Sequence, residues 1–499
     1  MSSAPHSIRA TVLQQTERAR RCSKAEIERF IEKTEQRIIS LESQINALIE
    51  LRDSQRACVL ALKNMASPIH SLPIELLVEI FDLAVEDYWH VENLYCISQV
   101  CWDWRQVAQS TPRLWTRPVT IVVSKAGGAA DELESLPEVG DATAQWKTWL
   151  ARSAPLPIHI SLVKPRFDYR DINRYILEEG LRVAHRCASL RIDIKGSGTP
   201  SWFVRRLAQS KLDSLDELDL GYVQDDDTDR TSVSFTAASR LQKLHLINLG
   251  ALQIALPWAQ LTELRFHCDS PEAFEAFRQC ANLIRVYINI LQRTPFFEVR
   301  QDMPIQFGQL CTLSLHSWTG FPFFFYRLST PALQELQLHG VRWIPADFTA
   351  FQLRAPNITS LELIDSYSCV PRDMKAAICD TPSLTHLTIK DCKESFDDAF
   401  ISSLCYKDGL TPLVPRLHHL VVDSNVVNFT EDVLASMIMS RWWTETERAS
   451  YAAPPVARWT YVELRLSMGF RPYQLGARFT EPVKTIPPDV LIYRKDVVY

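Results

Sequence analysis

The chain has 499 residues and a net charge of −5, and 46% of its residues are hydrophobic and 23% charged. This balance is typical of globular proteins, and the length fits about three domains. The small negative charge argues against a broad electrostatic contact with nucleic acid or with an anionic membrane. Because the sequence has no long apolar run and no hydrophobic signal core at its start, we expect a cytoplasmic or nuclear protein.

The sequence contains no familiar motif for catalysis. It has no P-loop, dinucleotide-binding, nucleophile-elbow or zinc-protease motif, and its 14 glycines are few for loops that cradle phosphates. Its 12 cysteines include no C-x-x-C pair, which indicates buried thiols rather than zinc ligands. We therefore predict no metal site, no cofactor and no enzymatic activity. A cluster of buried ionisable side chains in the fold would revive the enzyme hypothesis.

Residues 1–66 are predicted to form a long amphipathic, coiled-coil-like helix. Between about Ile8 and Lys63 the sequence has neither proline nor glycine and is rich in residues that favour helices. A stripe repeats at alternating spacings of four and three, with isoleucine at the a positions and leucine at the later d positions, which favours two-stranded coiled coils. Its members are Ile27, Ile31, Thr34, Ile38, Leu41, Ile45 and Leu48.

Two interpretations of this stripe stay open. About three heptads are regular, because Arg52 and Gln55 occupy the next core positions. Residues 27–48 either form a dimer or pair with a partner, or the helix packs its stripe on the same chain.

Residues 67–117 are predicted to form a small helical module. Pro73 suits the first turn of a helix, and the apolar residues after it recur at the helical period. They are Leu76, Leu77, Ile80, Phe81 and Ala84. A more polar link over 85–94 leads to a second predicted helix, which Pro112 ends. The apolar stripe of this helix comprises Ile97, Val100, Cys101, Trp104, Val107 and Ala108. So short a segment lacks a self-sufficient core, and it must lean on the rest of the chain or on a partner.

The motifs LPIELL at 72–77, VCWDWR at 100–105 and STPRLW at 110–115 follow in this order and resemble an F-box. The F-box family implies a module that binds the Skp adaptor and so attaches a substrate receptor to a cullin–RING ubiquitin ligase. The residues that match the family pattern, implied to form the adaptor face or to support it, are Leu72, Pro73, Leu76, Leu77, Ile80, Phe81, Val100, Trp104 and Trp115. The link over 85–94 is longer and more aromatic than the usual acidic turn. An ordinary helical hairpin packed on its own domain is the alternative.

Residues 118–185 are predicted to be a connecting α/β segment. Val119, Ile121 and Val123 indicate a strand, 146–151 part of a helix and 158–162 a second strand. The stretch WLARSAPLPIHISL at 149–162 resembles the segment that follows the F-box in mushroom-type fungal F-box proteins.

Residues 186–470 repeat the frame L-x-x-L-x-L, which predicts an irregular leucine-rich-repeat solenoid. Successive strong copies start between 20 and 33 residues apart, mostly within the usual 20–29 window. The strong copies begin at Leu215, Leu241, Leu261, Leu283, Leu310, Leu333, Ile358, Leu384 and Leu417, and weaker ones at Cys187 and Tyr461. Stacked units would bury a shared apolar core, and residues 471–499 are predicted to be an extended tail.

The frame also predicts which side chains lie on the outer face of the strands. A first row, the candidate substrate-binding residues, comprises Asp219, His245, Arg265, Tyr287, Ser314, Gln337, Glu362 and Thr388. His267, His316 and His339 share another position, but their spacing does not predict a metal site. Solenoid faces of this kind bind extended or protein ligands.

Together these patterns predict an α/β repeat protein with an N-terminal long helix and a small all-α F-box. The resemblance implies a non-catalytic receptor subunit of an SCF-type ubiquitin ligase, with the Skp-type adaptor and an unknown protein substrate as partners. A non-ligase interaction scaffold that uses the coiled coil and the repeat surface is the alternative.

Overall fold

A computed structural model describes most of the chain as two compact units, Met1–Ala84 and Val85–Tyr499. The described residues are 13–14, 16–17, 23–85, 90–124, 139–166, 168, 171–196, 198–224, 232–247, 254–267, 271–290, 305–317, 325–366, 369–393, 395–407, 409–443, 456–468 and 471–493.

The first unit is dominated by one long helix, α1 (Lys24–Met65). A capping box begins it, because the Ser23 backbone N–H and hydroxyl both donate to the Glu26 carboxylate at 2.8 and 3.0 Å. These hydrogen bonds lower the pKa of Glu26, and the opposite effect of burial on that pKa is the smaller one. The long helix is confirmed, although most of its predicted start before Ser23 lies outside the described residues.

The apolar stripe of α1 is exposed to solvent. Ile31 exposes 52% of its surface, Ile38 49% and Leu48 65%. The interpretation in which this stripe packs on the same chain therefore finds no support in the structure. A 3₁₀ turn at Pro68–Ser71 and a second helix, α2 (Ile74–Ala84), complete the unit.

The second unit begins with two short helices, α3 (His90–Val100) and α4 (Trp102–Ser110), and a 3₁₀ turn at Pro112–Trp115. The prediction of one continuous helix through Val100 and Trp104 is wrong. Cys101 is extended between the two helices, at φ −154° and ψ 175°, and its Sγ accepts the Trp104 backbone N–H at 3.4 Å. The predicted link is also too long, since α3 already starts at His90.

Among the described residues, fifteen strands form one sheet in which neighbouring strands from β1 to β13 are parallel. The strands are β1 (Val119–Val122), β2 (Ile158–Lys164), β3 (Cys187–Ile194), β4 (Glu217–Gly221), β5 (Lys243–Leu246), β6 (Glu263–His267), β7 (Arg285–Ile290), β8 (Thr312–Ser317), β9 (Glu335–His339), β10 (Ser360–Ile364), β11 (His386–Lys390), β12 (His419–Ser424), β13 (Tyr461–Met468), β14 (Arg471–Pro472) and β15 (Leu491–Tyr493). The segment expected to connect the domains thus supplies β1 and β2. The predicted tail supplies β15, which pairs with β13.

Helices and short strand pairs provide the return segments. The helices are α5 (Val139–Arg152), α6 (Arg174–Arg182), α7 (Ser201–Ala208), α8 (Pro271–Arg278), α9 (Pro345–Gln352), α10 (Pro371–Cys379), α11 (Asp398–Leu404), α12 (Glu431–Met439) and α13 (Ala477–Thr480). Val233–Ser234 pairs with Ile254–Ala255, and Ile305–Gln306 with Leu328–Ser329. The predicted irregularity of the returns therefore takes a definite form, with helices in some repeats and two-residue strands in others.

The repeat frame places its apolar residues in the core, as predicted. In the copy that starts at Leu333, for example, Leu333, Leu336 and Leu338 are fully buried. The last copy is shifted by two residues from the prediction. Val462 pairs with Leu420 in register, so the copy starts at the buried Trp459 and not at Tyr461.

In several repeats, a polar side chain just before the first inward residue ties the repeat to the previous one. Asn282 Nδ2 donates to the carbonyl of Ala259 and Asn357 Nδ2 to that of Pro331, both at 2.7 Å. Gln260 Nε2 donates likewise to the carbonyl of Leu241 at 2.9 Å. These bonds satisfy carbonyls that the irregular turns leave without a backbone partner, so they help to fix the stacking.

The longest interval between strong copies is bridged by one buried guanidinium. Arg441 exposes only 1% of its surface and donates to the carbonyls of Leu404, Val414 and Leu417 at 3.1, 2.9 and 3.2 Å. Burial lowers its pKa to about 10, so the side chain remains charged at neutral pH. It holds the 405–417 segment against the repeat stack.

We predict that Arg441→Leu lowers the free energy of unfolding by about 2–5 kcal/mol, because buried carbonyls lose their charged donor. Chemical denaturation followed by circular dichroism measures the change. Arg478→Leu is the matched control, since the Arg478 side chain is 79% exposed and its loss should matter little. Equal midpoints for the two variants would contradict the role given to Arg441.

Candidate functional site

Helix α2 carries exposed apolar side chains on one side and buried ones on the other. Leu76 is 51% exposed, Ile80 40% and Leu83 86%, whereas Leu77 and Phe81 are buried. The exposed three recur at spacings of four and three, so they lie along one helical face. Exposed apolar groups in such a row mark an interaction surface more often than isolated ones do.

A second group of exposed apolar side chains flanks the break between α3 and α4. Val100 is 60% exposed and Trp102 68%, and the extended Cys101 between them separates the two helices. Trp102 is therefore displayed at the first turn of α4 instead of continuing the buried stripe of α3.

Trp115 lies in the core beneath this segment. Its indole N–H donates to the Ala108 carbonyl at 2.7 Å, its ring meets Tyr95 edge-on at 5.7 Å, and the Arg152 guanidinium lies over it at 4.7 Å. The fully buried ring thus anchors the 3₁₀ turn on α3, α4 and α5, and it supports the module without being presented to a partner.

The nine predicted adaptor-binding residues therefore divide into surface and support. Pro73, Leu76, Ile80 and Val100 are exposed, Leu72 and Trp104 are half-buried, and Leu77, Phe81 and Trp115 are buried. The prediction missed Ile74, Leu83 and Trp102, which are 61%, 86% and 68% exposed. The spacing of Leu83 from Ile80 could have identified it, whereas the exposure of Trp102 depends on the break at Cys101.

On the solenoid, the predicted substrate-binding residues form one continuous row across the sheet. Each pairs in register with the next, as Asp219 does with His245 and Glu362 with Thr388. The complete row is Asp219, His245, Arg265, Tyr287, Ser314, Gln337, Glu362 and Thr388. All of these side chains are exposed or half-buried, so a ligand on this face can touch them.

Ionisable residues near both ends of this face pair with one another. The closest atoms are 2.7 Å apart in Arg191–Glu217 and in Lys390–Glu362. They are 2.9 Å apart in His245–Asp219, which is an ion pair only when the histidine is protonated. Arg465 bonds Glu463 at 2.8 Å at the far end. A charged ligand would have to displace these partners, so the pairing reduces the attraction of either sign of charge.

In the row from Asp219 to Thr388, the middle side chains are polar but uncharged. Ser314 and Gln337 lie at the centre of that row, with Tyr287 beside them under the Arg265 guanidinium at 4.1 Å. Charge lies next to them on the same face, since the exposed Glu335 comes two residues before Gln337 and accepts a hydrogen bond from the Thr312 hydroxyl at 3.1 Å. In the neighbouring row His316 and His339 are adjacent, with ring centroids 5.8 Å apart. First burial and then His316 lower the pKa of His339, which favours its neutral form.

A second group of aromatic rings lies near the end of the sheet. The rings of His386 and His419 are 4.7 Å apart, and Tyr461 stacks on His419 at 4.6 Å. His418 meets His386 edge-on at 5.1 Å. Burial first, and then His386, lower the pKa values of His418 and His419, whereas Glu463 acts in the opposite direction on His419.

In the described part of the chain, no three histidine, cysteine, aspartate or glutamate side chains are placed to hold a metal ion together. The buried lysine, arginine and glutamate side chains in that part, Lys164, Glu179, Arg441 and Glu463, lie in different segments of the chain. Within the same residues, no helix combines the length and apolar character that a membrane span needs.

Comparison with known proteins identifies one part of the chain. The F-box-like family model matches residues 69–121, which are therefore an F-box-like domain. No curated protein sequence matches the chain. Among solved structures the chain is similar to an internalin (InlF) from Listeria monocytogenes str. 4b F2365, with 12% identity and a TM-score of 0.29 over 72% of this chain and 94% of the internalin. That likeness is too distant to carry an argument. The chain thus combines an F-box-like domain with a parallel leucine-rich-repeat sheet.

We predict that the histidines at the end of the sheet make stability depend on pH. A histidine whose pKa is lowered by folding binds fewer protons in the folded state than in the unfolded one. Stability is therefore complete above the unfolded pKa of about 6.5 and declines as the pH falls from there toward the lower folded pKa.

The double variant His418→Gln/His419→Gln should lose less thermal stability than the wild type between pH 7.5 and 5.5, as measured by the melting temperature. His159→Gln, at an exposed position on β2, serves as the control and should keep the wild-type dependence. Identical pH dependence in the double variant and the wild type would rule out these histidines as the cause.

Proposed function

We propose that this chain is the substrate-receptor subunit of an SCF-type ubiquitin ligase. Its F-box-like domain binds a Skp-type adaptor, and through that adaptor a cullin–RING ligase, while the solenoid binds a protein substrate. The observation that carries the proposal is the exposed apolar face of α2, within a segment that matches the F-box-like family. We place this activity in the cytoplasm or the nucleus.

The adaptor surface is supported by the division between buried and exposed residues in α2. Leu77 and Phe81 are buried and stabilise the module, whereas Leu76, Ile80 and Leu83 leave apolar area in contact with water. Covering such area with a partner contributes about 25 cal/mol of favourable free energy per Å². Apolar side chains near the centre of an interface often dominate its affinity. Val100 and Trp102 supply further apolar surface in the segment that follows.

The substrate surface is supported by the row from Asp219 to Thr388. Its strands are fixed by a continuous hydrogen-bonded sheet, so little conformational entropy is lost when an extended ligand binds. The neutral side chains of Ser314 and Gln337, next to the Glu335 carboxylate, favour substrate segments that offer hydrogen-bond donors and other neutral polar groups. The charge pairs on either side disfavour segments that bring unpaired charge.

The mechanism that follows requires no catalytic group in this chain. The receptor raises the effective concentration of substrate lysines near the ubiquitin carrier, and the other subunits of the ligase perform the transfer. The alternative is a non-ligase scaffold, in which α1 and the repeat surface bind partners and the F-box-like domain serves another purpose.

We predict that Leu76→Asp/Ile80→Asp weakens binding to a purified Skp-type adaptor by about 100-fold or more, because a charge replaces apolar contacts at the interface. Isothermal titration calorimetry measures the affinity. Leu353→Asp is the matched control, since Leu353 is 81% exposed on the solenoid and its replacement should leave adaptor binding unchanged. Because all three positions are exposed, the variants should fold, which circular dichroism verifies. Undiminished adaptor binding by the double variant would favour the scaffold.

A further prediction concerns the solenoid. In complexes purified with ubiquitin transfer blocked, Ser314→Arg/Gln337→Arg should lose the polypeptides that wild type retains, because two long cations replace the neutral side chains at the centre of the row and block the contacts made there. Quantitative mass spectrometry compares the two. Ala376→Arg/Ser402→Arg adds the same charge at exposed positions on α10 and α11 and should retain those polypeptides. Loss in both variants, or in neither, would contradict the assignment of this face.

A further inference from the structure

The stripe along α1 exposes apolar side chains over a helix of 42 residues, about 63 Å at 1.5 Å per residue. Leu41 exposes 50% and Ile45 55% of its surface, comparable with Ile31 and Ile38 earlier in the stripe. Most helical stability in proteins comes from packing an apolar face. An exposed stripe of this length therefore calls for a covering partner.

The heptad positions identify a second copy of the same helix as that partner. Isoleucine occupies a at 31, 38 and 45, and leucine occupies d at 41 and 48, the combination that favours parallel two-stranded coils. In a parallel pair in register, each a or d residue meets its own counterpart. Each g residue of one helix then faces the e residue of the next heptad in the other helix. Arg37 is a g residue and Glu42 an e residue, so the two pair once on each side of the dimer.

The polar residues on the stripe fit the same pairing. Thr34 occupies a d position, and its hydroxyl already donates to the Phe30 carbonyl at 2.7 Å, so burying it leaves no donor unsatisfied. Arg52 occupies the next a position after the regular heptads, and its Nη2 lies 2.8 Å from Asp53 Oδ1. The apolar seam therefore ends before Arg52, and residues 27–48 form its core.

An antiparallel pairing fits less well. Over residues 27–48 it brings the e rows of the two helices together, and these carry Glu28, Glu35 and Glu42, so like charges meet. An antiparallel pair over the whole of α1 relieves that repulsion, because Arg56 and Lys63 follow on the e row. Such a pair, however, places Arg52 opposite Leu41 in the apolar seam. Only the parallel pair keeps the seam apolar and the flanking charges opposite.

We propose that the protein is a homodimer joined by a parallel, in-register coiled coil over residues 27–48. Its consequence rests on the proposed function: one particle then presents two F-box-like domains and two substrate faces. A substrate with two binding segments would be held with an avidity that a single receptor lacks.

The dimer is tested first by its mass and by its charges. Light scattering should give twice the 57.2 kDa of one chain. Ile38→Asp/Leu41→Asp should weaken self-association by about 100-fold or more, whereas Gln36→Asp/Ser43→Asp, with the same charges on the opposite face of α1, should remain dimeric.

Arg37→Glu or Glu42→Arg alone should weaken the dimer, and the double exchange Arg37→Glu/Glu42→Arg should restore it. Failure of the exchange to restore it would overturn the parallel register, and a monomeric wild type would overturn the dimer.

Orientation is tested independently by cross-linking. In a Cys58→Ser background, which removes the exposed thiol of α1, Leu41→Cys should form a disulfide between chains because d residues meet in a parallel pair. Ser43→Cys, which faces away from the seam, should not. In the full-length antiparallel pair residue 41 lies far from its counterpart, so absence of the Leu41→Cys cross-link in a dimer would overturn the parallel arrangement. Adaptor binding by Ile38→Asp/Leu41→Asp should be preserved, so failure of the dimer is distinguishable from failure of the receptor function.

Discussion

The structure depends on the fact that one repeat cannot cover its own apolar face. Each strand presents leucines such as Leu361 and Leu363, which are buried only because neighbouring repeats and a return segment enclose them. The parallel register carries this arrangement across the sheet, since any slip by one residue would turn the leucines outward. The same register aligns the outward residues into rows, so the proposed substrate surface is a direct consequence of the way the core is built.

Covering apolar area also explains the contrast between the two units. In the solenoid the inward side chains are enclosed, and the outward charges form pairs such as Lys390 with Glu362. In the first unit, α1 and α2 expose isoleucine and leucine along regular helical faces. Such area is costly to leave in water. These exposed faces are the observations behind the two proposed interfaces, that of α1 with a second copy of itself and that of α2 with a Skp-type adaptor.

Much of this architecture could be predicted from the sequence, because leucine at fixed spacing carries both the strand period and the repeat length. The frame failed where another apolar residue replaced leucine after a long insertion, so that the first position of the last copy was assigned to Tyr461 and not to Trp459. The break at Cys101 was missed because one residue in extended conformation leaves the apolar spacing almost unchanged. Exposure of Trp102 could not be predicted for the same reason. The motif itself does not separate the buried Leu77 from its exposed neighbour Leu76, because both match the family pattern. Only the fold determines which of the two side chains is buried.

The outward face suits the receptor function proposed above, because selectivity of that kind requires no catalytic group. Its charges are largely paired with one another, and surface pairs of this sort contribute little to stability. In the proposed receptor their effect is on which ligands bind, because a charge placed against Arg191–Glu217 meets side chains that are already paired. The neutral side chains of Ser314 and Gln337 can instead hydrogen-bond a segment without disturbing these ion pairs. Under this proposal specificity comes from the neutral side chains of the row as much as from its charges, and a sheet held by its buried leucines keeps that pattern fixed.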